Sequence, residues 1–345
     1  MTDPAPSRHP RGRATIRDVA ALAGVGIKTV SRVINHEANV SVGTREKVEQ
    51  AVMALKFTPN QGAGALRRGD RKTLTLGLLL DAVDNPFSAA IHRAVEGAAW
   101  ERQTAVFGAS FGDDPDRERA LVEAFTRRRV DALVLTTISE DHTYLQTERD
   151  QGVPVVFVDR PPRGLEADTV LTDNRHASAT AVAHLLAHDH RDIAFLSDDL
   201  DVATARERYL GYTETLQDAG VLPGPVVTGV LSVEAAYEAV RDLVTGPRRP
   251  TAIFTSQNLV SIGGIRALHD LGLHHEIAMV GFDDLFLADM LEPALTVVAQ
   301  DPAEMGRTAA ARVFARLDGD DSPAVTSVVP ATLVVRGSGE IPPAH

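Results

Sequence analysis

The stretch GVGIKT, Gly24 to Thr29, sets two glycines, a lysine and a threonine close together, the residue types that cradle a phosphate. A phosphate loop, however, needs G-x-x-x-x-G-K-[ST] after a buried strand, so that its glycines bend the backbone around the phosphates. Here the spacing is wrong and the preceding segment, DVAALA, reads as a helix. The chain continues as IKTVSRVIN, in which Val30, Val33 and Ile34 are apolar and Thr29, Ser31, Arg32 and Asn35 polar. That is a short helix with one face left over. Lys28 and Arg32 carry donors for guanine O6 and N7, and Ile27 offers apolar surface to a thymine methyl. The chemistry these residues suit is reading base edges.

Two other groups invite a chemical reading. His184, His188 and His190 in AHLLAHDH include an i, i+4 pair, the spacing of helical zinc ligands. H-E-x-x-H is absent and Arg191 and Asp192 follow directly, so no metal is assigned. Aspartates collect behind apolar runs: Asp81, Asp84, Asp159 and Asp283. In parallel α/β sheets, ligands sit at the carboxyl ends of the strands. No G-x-G-x-x-G follows any of these runs, so the dinucleotide fingerprint is missing, and no nucleophile–base pair is found. No catalytic residue and no cofactor is assigned.

The elements that hold these residues differ along the chain. Thr15 and Asp18 form a variant capping box, opening a helix with Ile16, Val19, Ala20 and Ala23 on one side. Gly24 ends it, Val25 is the buried residue of the turn, and Gly26 starts the second helix. A third helix, cappable by Ser41 or Thr44, repeats Val48, Ala51, Val52 and Leu55 at i, i+3, i+4, i+7. Three short helices with a glycine turn between the first two make a helix-turn-helix head. From Leu74 the pattern becomes apolar runs (LTLGLLLD, TAVFGAS, DALVLTT, VPVVFVD, DIAFLSD, TAIFTS, IAMVGFD) between segments of helical spacing such as Ile91, Ala94, Val95, Ala98 and Leu121, Val122, Phe125. Near-continuous apolar strands alternating with helices predict parallel sheets covered on both faces. Arg127 to Arg129 read as a cationic helix C-terminus meeting the helix dipole.

Bulk composition agrees. The chain of 345 residues is 44% hydrophobic and holds no cysteine, which excludes disulfides and thiolate metal sites and fits a reducing compartment. The first residues are polar and Pro/Arg-rich with no apolar signal region, and no run approaches a membrane span, so the cytoplasm is expected. The net charge of −12 is uneven: residues 1–72 carry +7 and the rest −19, and all four lysines lie in the first part. A basic head on an acidic body points to a polyanion partner for the head alone.

The run TIRDVAALAGVGIKTVSRVIN, with TREKVEQAVMALKFTPN and LRRG after it, resembles the lactose/galactose-repressor family of bacterial transcriptional regulators, from Thr15 to about Ser338. The resemblance implies an α/β body of two Rossmann-like lobes, similar to periplasmic sugar-binding proteins, behind an all-α DNA-binding head. It divides the chain into a head (1–58), a hinge helix and linker (59–72), a first lobe (73–172 with 301–329) and a second lobe (173–300 with 330–340). The chain should cross between the lobes near 172–174, 297–301 and 328–331. It implies a homodimer on a pseudo-palindromic double-stranded operator, the head in the major groove and the hinge inserting Leu66 into the minor groove. The DNA-contacting set is then Thr15, Ile16, Ile27, Lys28, Thr29, Ser31, Arg32, Asn35, Asn60 and Leu66.

For the cleft, the resemblance implies effector contacts from Asp84, Phe87, Asp159, Arg206, Leu231, Gln257, Asn258 and Asp283. Arg208 is assigned to structure, though in some members it reaches the ligand, and Asp284 is the structural neighbour of Asp283. The sequence departs from the family pattern in three places. Gly26 stands where Ser usually caps the recognition helix, costing a few tenths of a kcal/mol. Gly62 and Gly64 weaken the hinge by roughly 1 kcal/mol each relative to Ala, so the hinge is expected to fold only on the operator. Gln257-Asn258 replaces the usual Asn-Asp pair and removes one negative charge. The expected function is a transcriptional repressor controlled by a sugar or sugar-like effector. The alternatives are a non-sugar effector, an α/β enzyme on a DNA tether, and an architectural DNA binder.

Overall fold

The computed structural model describes residues 14–34, 37, 39–58 and 73–344; the expected contacts Asn35, Asn60 and Leu66 and the hinge at 59–72 lie outside them. The chain forms two compact units, Met1–Thr73 and Leu74–His345.

The first unit holds α1 (Ile16–Ala23), α2 (Ile27–Ile34) and α3 (Val42–Ala54). The Thr15 N–H and hydroxyl both donate to Asp18 at 2.7 Å, and the Asp18 N–H returns to the Thr15 hydroxyl, so α1 opens with a reciprocal cap. Gly24 closes it in the left-handed region (φ 66°), where a side chain would cost about 1–2 kcal/mol. The Gly26 carbonyl starts α2 by accepting from Thr29 and Val30. Ser41 sits at the α3 cap position, but its hydroxyl pairs with that of Thr44 instead of a helix N–H. Val19, Val30, Val33, Val48 and Ala51 fill the centre, with Val25 half-buried at its edge.

The second unit contains two six-stranded sheets. The first runs β11 (Thr326–Val329), β5 (Asp168–Thr172), β4 (Val155–Val158), β3 (Ala132–Leu135), β1 (Thr75–Leu80), β2 (Ala105–Ser110) and is parallel throughout. The second runs β12 (Thr332–Val334), β10 (Thr296–Ala299), β9 (Ala278–Phe282), β8 (Ala252–Thr255), β6 (Ile193–Leu196), β7 (Val226–Val227), parallel except for β12. Strands β1, β2, β3, β4, β6, β8 and β9 coincide with the seven apolar runs. The sequence reading did not single out as strands β10, which it gave only as a crossing near 297–301, nor β5, β7 or β11. Their residues are polar or few, and β5 is held by side-chain chemistry: buried Asp168 accepts from Arg312, Arg316 and the Val325 N–H.

Helices α4 (Pro86–Glu101), α5 (Pro115–Arg127), α6 (Gln146–Asp150) and α11 (Pro302–Leu317) belong to the first sheet. The second carries α7 (Asn174–Ala187), α8 (Ala203–Asp218), α9 (Val233–Thr245) and α10 (Asn258–Asp270). The chain passes between sheets after β5, after β10 (Thr296–Ala299) and between β11 and β12 (Thr332–Val334). Each sheet has its own buried cores on both faces, one face of the first built on Leu76, Ile91, Val134 and Val313, one of the second on Phe195, Tyr212, Phe254 and Phe282. Three crossings therefore tie together two lobes that pack independently. Among the described residues no helix is long and apolar enough to cross a membrane.

Candidate functional site

Between the two sheets lies a cleft of about 780 Å³, its solvent mouth included. Strand ends build it. From the first lobe come Asp81 behind β1, Thr136 behind β3 and Asp159 behind β4; from the second, Asp198 behind β6, Gln257 and Asn258 behind β8, and Asp283 behind β9. Gln300 enters from the crossing after β10. Asp159 and Asp283 occupy equivalent places in the two strand orders and share one local geometry. Both are left-handed (φ 71° and 70°), and both donate their N–H to the next strand, to the Val170 and Val298 carbonyls, at 2.9 Å. A left-handed residue is strained for most side chains and milder for aspartate. It ends the strand abruptly and leaves the carboxylate at the sheet's edge, in the cleft.

Five carboxylates (Asp81, Asp113, Asp159, Asp198 and Asp283) share the lining with two guanidinium groups, Arg160 and Arg208. Burial pushes the Asp159 carboxyl above its ordinary value; Arg160 and Arg208 pull it back, while Asp283 and Asp81 push it further up. Asp283 is raised by burial against the pull of Arg208 and a Gln300 hydrogen bond, and Asp198 by burial against Arg208. Asp113 is raised by burial and by neighbouring Asp81. Several polar atoms here have no hydrogen-bond partner among the described residues: Asp159 Oδ1, Asn258 Oδ1, Gln300 Oε1 and Arg160 Nε. Three of the four are acceptors.

Of the expected effector residues, the structure brings Phe87, Asp159, Leu231, Gln257, Asn258 and Asp283 to this cleft. Two expected residues, Asp84 and Arg206, are not brought to it. Asp84 is exposed and outside the lining; Asn85 is there instead, because Asn85-Pro86 opens α4 and turns the cap side chain to the helix N-terminus. Arg206 is also exposed, and Arg208 takes the cleft position. Residues two apart on a helix point about 200° away from each other, and the buried stripe of α8 runs through Thr204, Arg208 and Tyr212. That i, i+4 spacing was visible in the sequence. Arg208 donates to Asn174 Oδ1 and to the Ser256 carbonyl at 2.7 Å and lies 3.8 Å from the Phe282 ring centroid. The sequence reading also missed Asp113, Thr136, Arg160, Asp198 and Gln300, which only the sheet order brings together.

Neighbouring charges have structural partners. Asp284 takes Arg336 through both oxygens, at 2.6 and 2.7 Å. The three histidines engage separate partners: His184 Nε2 meets Glu340, His188 Nδ1 the His184 carbonyl, and His190 both Thr251 and the Ile341 carbonyl. At the end of α5, Arg128 donates to the Ala124 carbonyl.

In the head, α2 turns Val30 and Val33 inward and leaves Ile27, Lys28 and Arg32 exposed. Thr29 and Ser31 are half-buried beside them. Arg32 reaches Glu37 at 3.7 Å, an exposed and therefore exchangeable ion pair. Thr15 is exposed and Ile16 half-buried at the start of α1.

Comparison with known proteins agrees with both units. Residues 15–60 match the model for bacterial regulatory proteins of the lacI family, and residues 182–339 that for a periplasmic binding protein-like domain. The chain is 33% identical to the ribose operon repressor of Escherichia coli K12 over 302 residues, covering 86% of this chain and 91% of the relative. The lac repressor dimer bound to operator and the anti-inducer ONPF superposes with a TM-score of 0.82 at 26% identity, covering 95% of this chain and 99% of that one. The Cra regulator of Pseudomonas putida, in complex with fructose 1-phosphate, gives 0.70 at 26% identity, covering 76% and 98%.

Proposed function

This chain belongs to the lacI family of bacterial regulatory proteins, and from that premise we propose how it works: a homodimeric repressor whose operator affinity is set by an unphosphorylated, polyhydroxylated effector held between its lobes. One observation carries the effector reading. Three of the cleft's four partnerless polar atoms are acceptors, with Asp159 Oδ1 and Asn258 Oδ1 on residues only 8% and 3% exposed. A buried acceptor without a donor costs about 1–3 kcal/mol. Sugar hydroxyls supply such donors. Phosphate supplies acceptors and charge, and five carboxylates against two guanidinium groups oppose it. In this respect the cleft is suited to another ligand than the fructose 1-phosphate bound by the Cra regulator.

On DNA, Lys28, Arg32 and Ile27 read base edges, while Thr15, Ile16, Thr29 and Ser31 approach the backbone beside them. Asn35, Asn60 and Leu66 complete the contact set, Leu66 as the minor-groove wedge. Two lobes joined by crossings can adopt more than one relative pose. An effector preferring one pose changes operator affinity, and by linkage the operator changes effector affinity equally, typically by 1–3 kcal/mol. The effector is bound without turnover, and the protein works beside the chromosome in the cytoplasm.

The test is a thermal-shift screen of the full chain against neutral sugars, sugar phosphates, sugar acids and nucleobases, followed by operator binding with each hit. A neutral sugar should raise the melting temperature, change operator affinity and be recovered unchanged. Stabilisation by sugar phosphates or nucleobases alone overturns the reading.

A further inference from the structure

Among the described residues, two side-chain hydrogen bonds join the lobes, Arg163 to the Asp201 carbonyl at 3.3 Å and Asn258 Nδ2 to Asn85 Oδ1 at 2.8 Å. The second has its direction imposed by the fold. Asn85 is the N-cap of α4, and Pro86 behind it has no N–H to offer, so the Asn85 oxygen accepts from Phe87 N–H at 3.0 Å. Flipping the Asn85 amide would set its NH2 group against that N–H, donor on donor. The oxygen must therefore face both the helix end and the opposite lobe, and only a donor can meet it there. Asn258 provides one. Its own oxygen is then turned away and is the buried Oδ1 that has no partner.

We propose that Asn85 and Asn258 form a charge-free latch that holds the two lobes in the pose of this structure, with the α4 cap dictating which end of each amide faces across the cleft. An aspartate at 258 would place a carboxylate oxygen 2.8 Å from an oxygen that cannot turn, at a site 3% exposed where water screens little. This also explains why the neutral pair Gln257-Asn258 suits this chain: the position needs a donor toward Asn85, and a carboxylate has none. Aspartate at 85, by contrast, keeps every bond, since either carboxylate oxygen accepts from Phe87 N–H and from Asn258. The latch rests on the two-lobe reading for its regulatory meaning, but it is measured without any sugar or DNA.

The chain has no cysteine, so spin labels can be placed at will. Nitroxides at exposed Gln151→Cys in the first lobe and Glu234→Cys in the second report lobe separation by pulsed dipolar spectroscopy on the full chain. With the latch intact, the short-distance population dominates. Asn258→Asp should raise the open-to-closed ratio about tenfold, and Asn258→Ala should raise it less, because it loses the bond without adding a repulsion. Asn85→Asp should leave the distribution where it was. The latch is overturned if the Asn258→Asp and Asn258→Ala distributions superpose on the parent, or if Asn85→Asp opens the lobes as far as Asn258→Asp. Should Asn258→Asp not fold, Asn258→Ala against Asn85→Asp decides the matter. Failure of the sugar screen leaves these distances unchanged, so the two readings fail separately.

Discussion

Replacing Asp283 by Asn should separate binding from stability, with opposite signs. The substitution is close to isosteric, and Asn tolerates the left-handed backbone at φ 70° as Asp does, so the strand end is kept. Gln300 Nε2, 2.7 Å from Asp283 Oδ1, can still donate to the amide oxygen. What changes is the other terminal atom, from a charged acceptor to a donor. A hydroxyl that donated to it loses a charge-assisted hydrogen bond of about 1.5–3 kcal/mol, or roughly a ten- to hundredfold loss of sugar affinity.

Stability should move the other way. Burial raises the Asp283 carboxyl in the folded protein, so the folded state holds that proton more tightly than the unfolded chain. The stability linked to it is complete below the unfolded carboxyl value and is lost as pH rises through the folded one. Asn has no such loss. The melting temperature of Asp283→Asn should match the parent in acid and exceed it at neutral pH. Calorimetric titration with the screened sugar and melting curves from pH 4 to 8 measure both quantities. A variant that binds the sugar within twofold of the parent, or melts lower at neutral pH, refutes the reasoning.

Other outcomes follow from other parts of the molecule. Arg32→Ala should cost about 1–3 kcal/mol of discrimination at one operator position while changing general DNA affinity little; equal losses on operator and random DNA would remove Arg32 from base reading. Gly26→Ser meets open space at a cap position and should slow amide exchange in Ile27–Ile34 by a few tenths of a kcal/mol; faster exchange would show that the position does not act as a cap. Asp168→Ala leaves Arg312 and Arg316 without their buried partner and should cost about 3–5 kcal/mol in urea unfolding. In the parent, burial pushes the Asp168 carboxyl up, but hydrogen bonds from Arg316, Val325 and Arg312 outweigh it and leave it below the ordinary value. Its contribution is therefore whole above roughly pH 4 and lost as pH falls through the lower folded value; a parent–variant difference that grows in acid contradicts this.

The sequence alone was enough for whatever is periodic or local. Alternating chemistry on IKTVSRVI showed which face of α2 packs and which is free, the Thr15–Asp18 pair marked a helix start, and apolar runs marked seven parallel strands with Asp159 and Asp283 at their ends. Apolar burial leaves this trace because its period matches the geometry of a single element. The cleft itself depended on tertiary structure, since its residues come from both sheets and a crossing. Spacing on one helix was enough in principle to choose Arg208 over Arg206, and a cap to choose Asn85 over Asp84. That Asn85 would meet Asn258, 173 positions away, follows only when the chain has crossed between the sheets and brought two helix starts face to face. A hydrogen bond between lobes has no period in the sequence; it exists because two separately packed cores share one chain.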